Sequence, residues 1–506
     1  MTVLKENEYN IQVFTDEKIM KLKIDELLSA FREGYKFEPM YQAGKSDGKN
    51  RYYKTTIIPN KGIYFEVGVG FKQRLLDNIP FNNIETFPHP EQQGMEFLKR
   101  VAGHLPFKPY KHQLKAFMGL ISNRNHLAIA ATGAGKSLIL YLVARYFWEK
   151  NMKVVVVVPT IGLTSQLFSD FEDYLDIENK EGEEKELSQK LISDIKLIGG
   201  ENKDKELNKP IIVSTWQSLN KIMSEIDNYD AIIVDEAHQA KASVLQEILR
   251  QKCSVKIGMT GSMPIIKTDA MALEQALGKP TRYVNARELM DLNLLTDTTI
   301  VPMFLKHPRN ETISGMKYQE EVKFIRQSVS RTNFINTFMK GLKGVSVALY
   351  QVTEHGEQTY EALTGVKLTT KKKSDFEMMK ELGVFFMSGS TKSSVREKIR
   401  VYLNECENAI VIGQMAVLST GINIPRLKNL VFLSSTKSYT LILQSIGRVM
   451  RLHKEKGNNV YIFDMIDEFT YKKDSYSLKH YYQREAFYES EGHPLIEKEI
   501  DLSKYQ

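Results

Sequence analysis

The sequence predicts an α/β chain: two tandem domains, each a parallel sheet covered by helices, preceded by a small α+β module. Three observations carry this expectation. From about Leu127, short β-branched runs ("LAIA", "VVVVVP", "IIVST", "AIIVDEA", "VKIGMTG") alternate with polar or helical stretches, the pattern of strands buried on both faces. After a less regular connection containing "VPMFLKHPRN", a second series follows: "VSVALYQ", "VFFMSG", "AIVIGQ", "NLVFLSS" and "NVYIFDM". Ahead of both, about 90 residues are rich in tyrosine and lysine and punctuated by glycine. The expected divisions are 1–90, 91–290, 291–470 and a C-terminal extension, 471–506.

At 506 residues the chain can bury at least two full cores, and its 42% hydrophobic and 26% charged content is ordinary for a globular protein. The longest apolar run, Val154 to Val158, is of strand length, so no membrane span is expected. "MTVLKENEYN" lacks the basic and then apolar regions of a secretory signal, which makes a reducing cytoplasm the expected location. Two cysteines, Cys253 and Cys406, form neither a disulfide framework nor a zinc site by spacing. The formal charge of +7 favours a polyanionic partner without establishing one.

Along the chain, the first chemistry-bearing stretch is Phe31 to Lys54. Lys45, Lys49, Arg51 and Lys54 interleave there with Tyr41, Tyr52 and Tyr53. The stretch offers phosphate contacts and stacking surfaces together, or it is a tyrosine-rich hairpin that packs on the rest of the chain.

Next comes "AATGAGKS", between the strand "HLAIA" and the helix "KSLILYLVARYFW". Thr132, Gly133, Ala134 and Gly135 form a loop whose backbone N–H groups and following helix dipole suit an anion; Lys136 adds a point charge for terminal phosphates and Ser137 a hydroxyl for Mg²⁺. Ala130 stands where the strict pattern has its first glycine. "ENKEGEEKELSQK" reads as a solvated helix. "AIIVDEAH" then ends a strand with Asp235, suited to hold Mg²⁺, and Glu236, suited to orient and deprotonate water. Together these stretches point to nucleotide hydrolysis. In the second domain "LQSIGRVMR" places Arg448 and Arg451 on one helical face beside Gln444, either as an exposed basic helix or as charge for the γ-phosphate across a cleft between two lobes.

"ATGAGKS", "VPTIGLTSQ", "VSTWQSL", "DEAH", "MTGS", "MSGST", "LSTGINIP" and "QSIGRVMR" occur in the order and spacing of the superfamily 2 helicases and translocases, which this chain resembles over 105–470. The resemblance implies two RecA-like domains that use ATP and Mg²⁺ to move along nucleic acid. It implies that Gln113 reads the adenine edge with Tyr110 as a stacking partner, and that Thr260 and Ser262 couple hydrolysis to movement. Thr420, Gly421 and Asn423 should lie between nucleotide and nucleic acid, and Thr160, Thr164, Trp216, Ser419 and Thr420 should grip the backbone. "GYKFEPMYQAGKSDGKNR" resembles the N-terminal module of the phage UvsW-type helicases, which implies remodelling of branched DNA: junction migration, fork regression and displacement-loop dissociation. "TGVKLTTKKKSDFEMMK" is longer than that family usually has there; Lys371, Lys372 and Lys373 are either a basic finger beside the DNA or a solvated run. The tail, with Tyr471, Lys472, Lys473, Tyr476, Lys479, Tyr481 and Tyr482, reads as a docking helix or a nucleic-acid contact. The alternatives are an RNA-dependent ATPase, an ATP-switched binding module and the motor subunit of a restriction complex.

Overall fold

The computed structural model describes the chain except residues 7–9, 59–61, 86–93, 200–205, 220–222, 241, 265, 309–315, 370–371, 420–423, 425, 435–445, 447–458 and 469–473. It divides into two compact units, Met1–Val284 and Asn285–Gln506. No helix among the described residues is long and apolar enough to cross a membrane.

The N-terminal residues form a five-stranded sheet in the order Tyr53–Ile58, Gly62–Gly68, Asn10–Thr15, Thr2–Glu6, Asn83–Glu85, antiparallel except for the last pair. A short hairpin pairs Ser29–Phe31 with Lys49–Arg51. This module packs within the first unit, Met1–Val284, together with the residues that follow it. Its core side chains Tyr52, Phe71 and Leu75 belong to one apolar cluster with Met271, Leu273 and Ala276 of the helix Lys267–Leu277. The contact is close enough that a Cβ on Gly70 would lie 2.1 Å from the Glu274 carbonyl oxygen. Around it the Tyr52 hydroxyl donates to Thr268 O at 2.6 Å, Gln275 donates to Tyr52 O at 3.0 Å, and Arg74 is bidentate on Glu274.

The first large sheet is parallel throughout, in the order Ile195–Ile198, Ile211–Thr215, Val154–Val158, Ala231–Val234, Val255–Thr260, Asn125–Ala130, Pro280–Val284. The five valines from Val154 are all 0% exposed, which is why this strand reads as a continuous apolar run. The first and last strands of that order, "IKLI" and "PTRYV", are too short and mixed to stand out in the sequence; they form the edges. The charged stretch is a helix, Gly182–Ser193, but not a wholly solvated one. Glu184 accepts from Arg145, whose side chain is 1% exposed and also held by Glu149 and Tyr141. Removing one partner of such a buried charge typically costs ~3–5 kcal/mol.

The second unit repeats the design: Val384–Met387, Ala409–Gln414, Val345–Tyr350, Leu427–Phe432, Asn459–Glu468, Asp297–Lys306, Lys498–Asp501, again all parallel. The stretch expected as an irregular connection is the ten-residue strand Asp297–Lys306, paired along its length with Asn459–Glu468. Pro302 hides it in the sequence, because proline argues against an inner strand. Ile300 bonds through its N–H and C=O to Pro494 and Ile496, so Pro302, two residues on, turns its donorless nitrogen to that same side, where regular pairing starts only at Met303.

Residues after 473 add buried side chains to this unit. Helix Tyr476–Ser490 places Arg484 against Asp464 in a buried bidentate pair, with the Tyr488 hydroxyl donating to the same carboxylate. Tyr481 is buried and Tyr482 is half exposed. The chain then adds the last strand, and Tyr505 packs its ring on Phe334.

Candidate active site

The nucleotide loop is built at the end of strand Asn125–Ala130, where the sheet's parallel strands all present their C-terminal edge. Ala130 is buried and still pairs with Val284, so the position has no need of the glycine that the strict pattern places there. The turn comes later: Gly133 and Gly135 have φ of 89° and 74°, and Gly135 caps the helix Lys136–Glu149. A Cβ on Gly135 would also lie 2.3 Å from the Gln113 amide nitrogen. Gln113, 4% exposed, donates to Ala134 O at 3.0 Å and accepts from the Tyr110 N–H at 2.8 Å. His112 Nε2 lies 3.0 Å from the same Ala134 oxygen, and half-exposed Tyr110 stacks on the His112 ring. The expected adenine pair therefore lies beside the phosphate loop, where Gln113 also braces it. Thr132 lines the same place: a Cβ on Gly261 would meet its hydroxyl and Lys136 Nζ, each at 3.7 Å.

Strand Ala231–Val234 delivers the carboxylates. Glu236 has left-handed backbone angles, φ 44° and ψ 48°, a conformation that costs a non-glycine residue on the order of 1–3 kcal/mol and concentrates at functional sites. The Lys136 ammonium sits 3.2 Å from Glu236 Oε1. Burial, then the neighbouring Glu236 charge, pushes Asp235 up to about 7. Glu236 goes the other way: burial would raise it, but Lys136 and then His238 hold it below the usual carboxylate range. Hydroxyl and carboxylate oxygens, Ser137 and Asp235, form a donor set that fits a hard cation such as Mg²⁺ sharing its shell with phosphates.

Sequence reasoning assigned no role to two residues that complete this centre. His238 Nδ1 is 2.7 Å from Thr260 Oγ1 and 3.4 Å from Glu236 Oε2, and Thr260 in turn donates to Ser262 O at 2.8 Å. Since the Thr260 proton is committed to Ser262 O, Nδ1 carries the proton of a neutral His238, and burial favours that neutral form. The line Lys136–Glu236–His238–Thr260 thus joins the phosphate loop to the stretch expected to couple hydrolysis to movement. The buried His238 Nε2 and Ser262 hydroxyl have no hydrogen-bond partner among the described residues. The second residue is Tyr174, on the helix Ile161–Leu175, whose hydroxyl lies 2.6 Å from Ser137 Oγ. His238 stood within a quoted motif, whereas nothing in the sequence marks Tyr174.

The expected nucleic-acid residues separate into two groups. Lys45, Lys54 and Thr160 are exposed and Lys49 is half-buried; Thr160 begins its helix without spending its hydroxyl on a cap. Tyr52, Thr164 and Trp216 are only 6%, 4% and 8% exposed, which corrects the expectation that they present surfaces to nucleic acid. Tyr52 is committed to the module's core as described, and the Thr164 hydroxyl donates to Ile161 O at 2.6 Å. The buried Trp216 N–H has no partner among the described residues. Arg51 is held by Asp25 and Asp47, at 2.9 and 2.5 Å, so its charge is compensated. Lys373 pairs with Glu357 at 2.5 Å on the neighbouring helix, and Lys372 is exposed. Ser419 ends the helix Met415–Ser419. Lys371, Thr420, Gly421, Asn423, Gln444, Arg448, Arg451, Tyr471, Lys472 and Lys473 lie outside the described residues.

Residues 106–265 match the family described as "Type III restriction enzyme, res subunit", and 345–453 match "Helicase conserved C-terminal domain". The ATP-dependent DNA helicase uvsW of Enterobacteria phage T4 is 28% identical over 501 residues, covering 93% of each chain. The solved structure of T4 UvsW covers 99% of both chains at 23% identity, with a TM-score of 0.44. A fragment assigned as an HsdR subunit of a type I restriction enzyme from Vibrio vulnificus YJ016 aligns over 80% of this chain and 72% of its own, at 18% identity and a TM-score of 0.55, and so shares the fold.

Proposed function

We propose that this chain, which carries the two helicase domains of superfamily 2 and is an ATP-dependent helicase, acts on DNA and remodels its branches: migrating four-way junctions, regressing forks and dissociating displacement loops. The observation that carries this reading is the N-terminal module, built into the core of the ATP-binding unit and bearing exposed lysines, within a similarity to a DNA helicase that runs through 93% of both chains.

The hydrolytic part rests on this chain's own residues. Lys136 leaves Glu236 to meet the terminal phosphates, and the loop N–H groups and helix N-terminus around Gly135 hold the others. Glu236, released from that ammonium, becomes a stronger base and takes a proton from the attacking water. A bound Mg²⁺, held by Ser137 and Asp235, would neutralise phosphate charge. Arg448 and Arg451, with Gln444, are proposed to offset the charge developing on the γ-phosphate. Changes at Glu236 reach Thr260 and Ser262 through His238. Contacts to DNA go mainly to phosphates, so binding weakens with salt and is insensitive to sequence.

The test is ATPase stimulation by a four-way junction, a fork, linear duplex, single-stranded DNA and single-stranded RNA at one salt concentration. Stronger stimulation by junction and fork supports the reading. Stimulation by RNA alone overturns it and leaves an RNA-dependent ATPase.

A further inference from the structure

Phe37 is 83% exposed, more than any other large hydrophobic residue described, and Met40 beside it is 55% exposed. A lone exposed apolar side chain needs no explanation. These two crown a small element that is itself firmly built. Tyr35–Phe37 is a 3-10 turn followed by the short helix Pro39–Gln42. Beneath them Tyr35 stacks on Phe31 at 4.6 Å and meets Tyr41 edge-on at 4.8 Å. Arg32 ties the two ends together, donating to Glu38 at 2.9 Å, Ser46 at 3.1 Å and Lys49 O at 3.2 Å. The acidic residue inside the element is therefore neutralised within it. Lys36 lies in the turn itself, Lys45 just after the helix and Lys49 on the strand that follows; none forms an ion pair among the described residues, Lys36 lies 6.0 Å from the Tyr35 ring centre and Lys49 5.2 Å from that of Phe31.

An exposed apolar pair on a segment that also carries three lysines outside any ion pair among the described residues matches a nucleic-acid partner that offers phosphates to the lysines and base faces to the apolar pair. Proteins that kink duplexes insert such side chains between base steps. We infer that Phe37 and Met40 form a wedge that enters the base stack where duplex arms meet, the lysines holding the flanking phosphates. This rests on the reading that the chain acts on branched DNA, and goes beyond it by naming the element that opens the branch point.

The test places 2-aminopurine at the crossover of a four-way junction and, separately, in the middle of a linear duplex, with full-length protein at concentrations that saturate the DNA by anisotropy. The wild-type chain should raise fluorescence several-fold at the crossover and little within the duplex. Phe37→Ala, with an unchanged melting temperature, should lose most of that rise at saturation. Phe37→Trp should keep it, while Lys36→Ala with Lys49→Ala should weaken binding to both DNAs alike. An equal rise with Phe37→Ala, or no rise with the wild-type chain, overturns the wedge and leaves the tip as a docking point for protein. Junction-stimulated ATPase of the wild-type chain, measured alongside, reports separately on the reading beneath it.

Discussion

The lysine of the phosphate loop, Lys136, is paired with Glu236, the residue assigned as general base, its ammonium 3.2 Å from Oε1. That contact helps to hold the Glu236 carboxylate below its ordinary range. On the proposed assignment, nucleotide binding and activation of the base are one event: an anion that takes Lys136 returns basicity to Glu236.

Glu236→Gln should lower kcat by about 10²–10⁴, the range of general base catalysis, while nucleotide binding is kept or strengthened because Lys136 is freed. Single-turnover hydrolysis and equilibrium binding of a fluorescent ATP analogue separate the two effects. Full ATPase in this variant would remove Glu236 from its role.

The Tyr174 hydroxyl lies 2.6 Å from Ser137 Oγ and shares a hydrogen bond with it; where Ser137 is the donor, its lone pairs are left for a cation. Tyr174→Phe should raise the half-saturating Mg²⁺ concentration about two- to fivefold, in line with one hydrogen bond of ~0.5–1 kcal/mol, with little change in kcat at saturating Mg²⁺. A Mg²⁺ titration of ATPase that superimposes on the wild-type curve would show that Tyr174 does not orient Ser137.

Tyr52 is a packing residue between the N-terminal module and helix Lys267–Leu277. Tyr52→Phe should cost about 1 kcal/mol of stability through the lost bond to Thr268 O, and Tyr52→Ala ~3–5 kcal/mol. Urea unfolding measures both. Tyr52→Phe should bind DNA like the wild-type chain; a large loss of affinity without loss of stability would return Tyr52 to the nucleic-acid surface.

His126 is buried beside the Tyr283 hydroxyl at 2.8 Å, and burial pushes it down to about 4. The unfolded chain, with histidine near 6.5, binds the proton first, so this residue costs the folded state stability as pH falls from ~6.5 towards 4. At pH 5 the penalty is about 2 kcal/mol relative to pH 8. His126→Gln should reduce the loss of stability between pH 8 and pH 5 by that order; an unchanged pH dependence would mean that His126 is protonated as readily folded as unfolded.

Periodicity and local motifs by themselves determined the two parallel-sheet domains, the phosphate loop and the paired carboxylates. Each of these depends on residues adjacent in the chain: "VVVVV" reads as a strand buried on both faces, and a strand, glycines, Lys136 and Ser137 in succession form the strand–loop–helix turn that suits an anion. Only the tertiary structure decided matters that join distant residues. It made "TTIVPMFLK" a long inner strand despite Pro302, because that proline's missing donor falls where the neighbouring strand has not yet begun regular pairing. It turned Tyr52 into a core residue, Arg51 and Lys373 into halves of ion pairs, and Tyr174 into a neighbour of Ser137, 37 positions away. A tyrosine or lysine reads the same in sequence whether its partner is water, DNA or another side chain. Which of these it meets depends on the surface that packing leaves open.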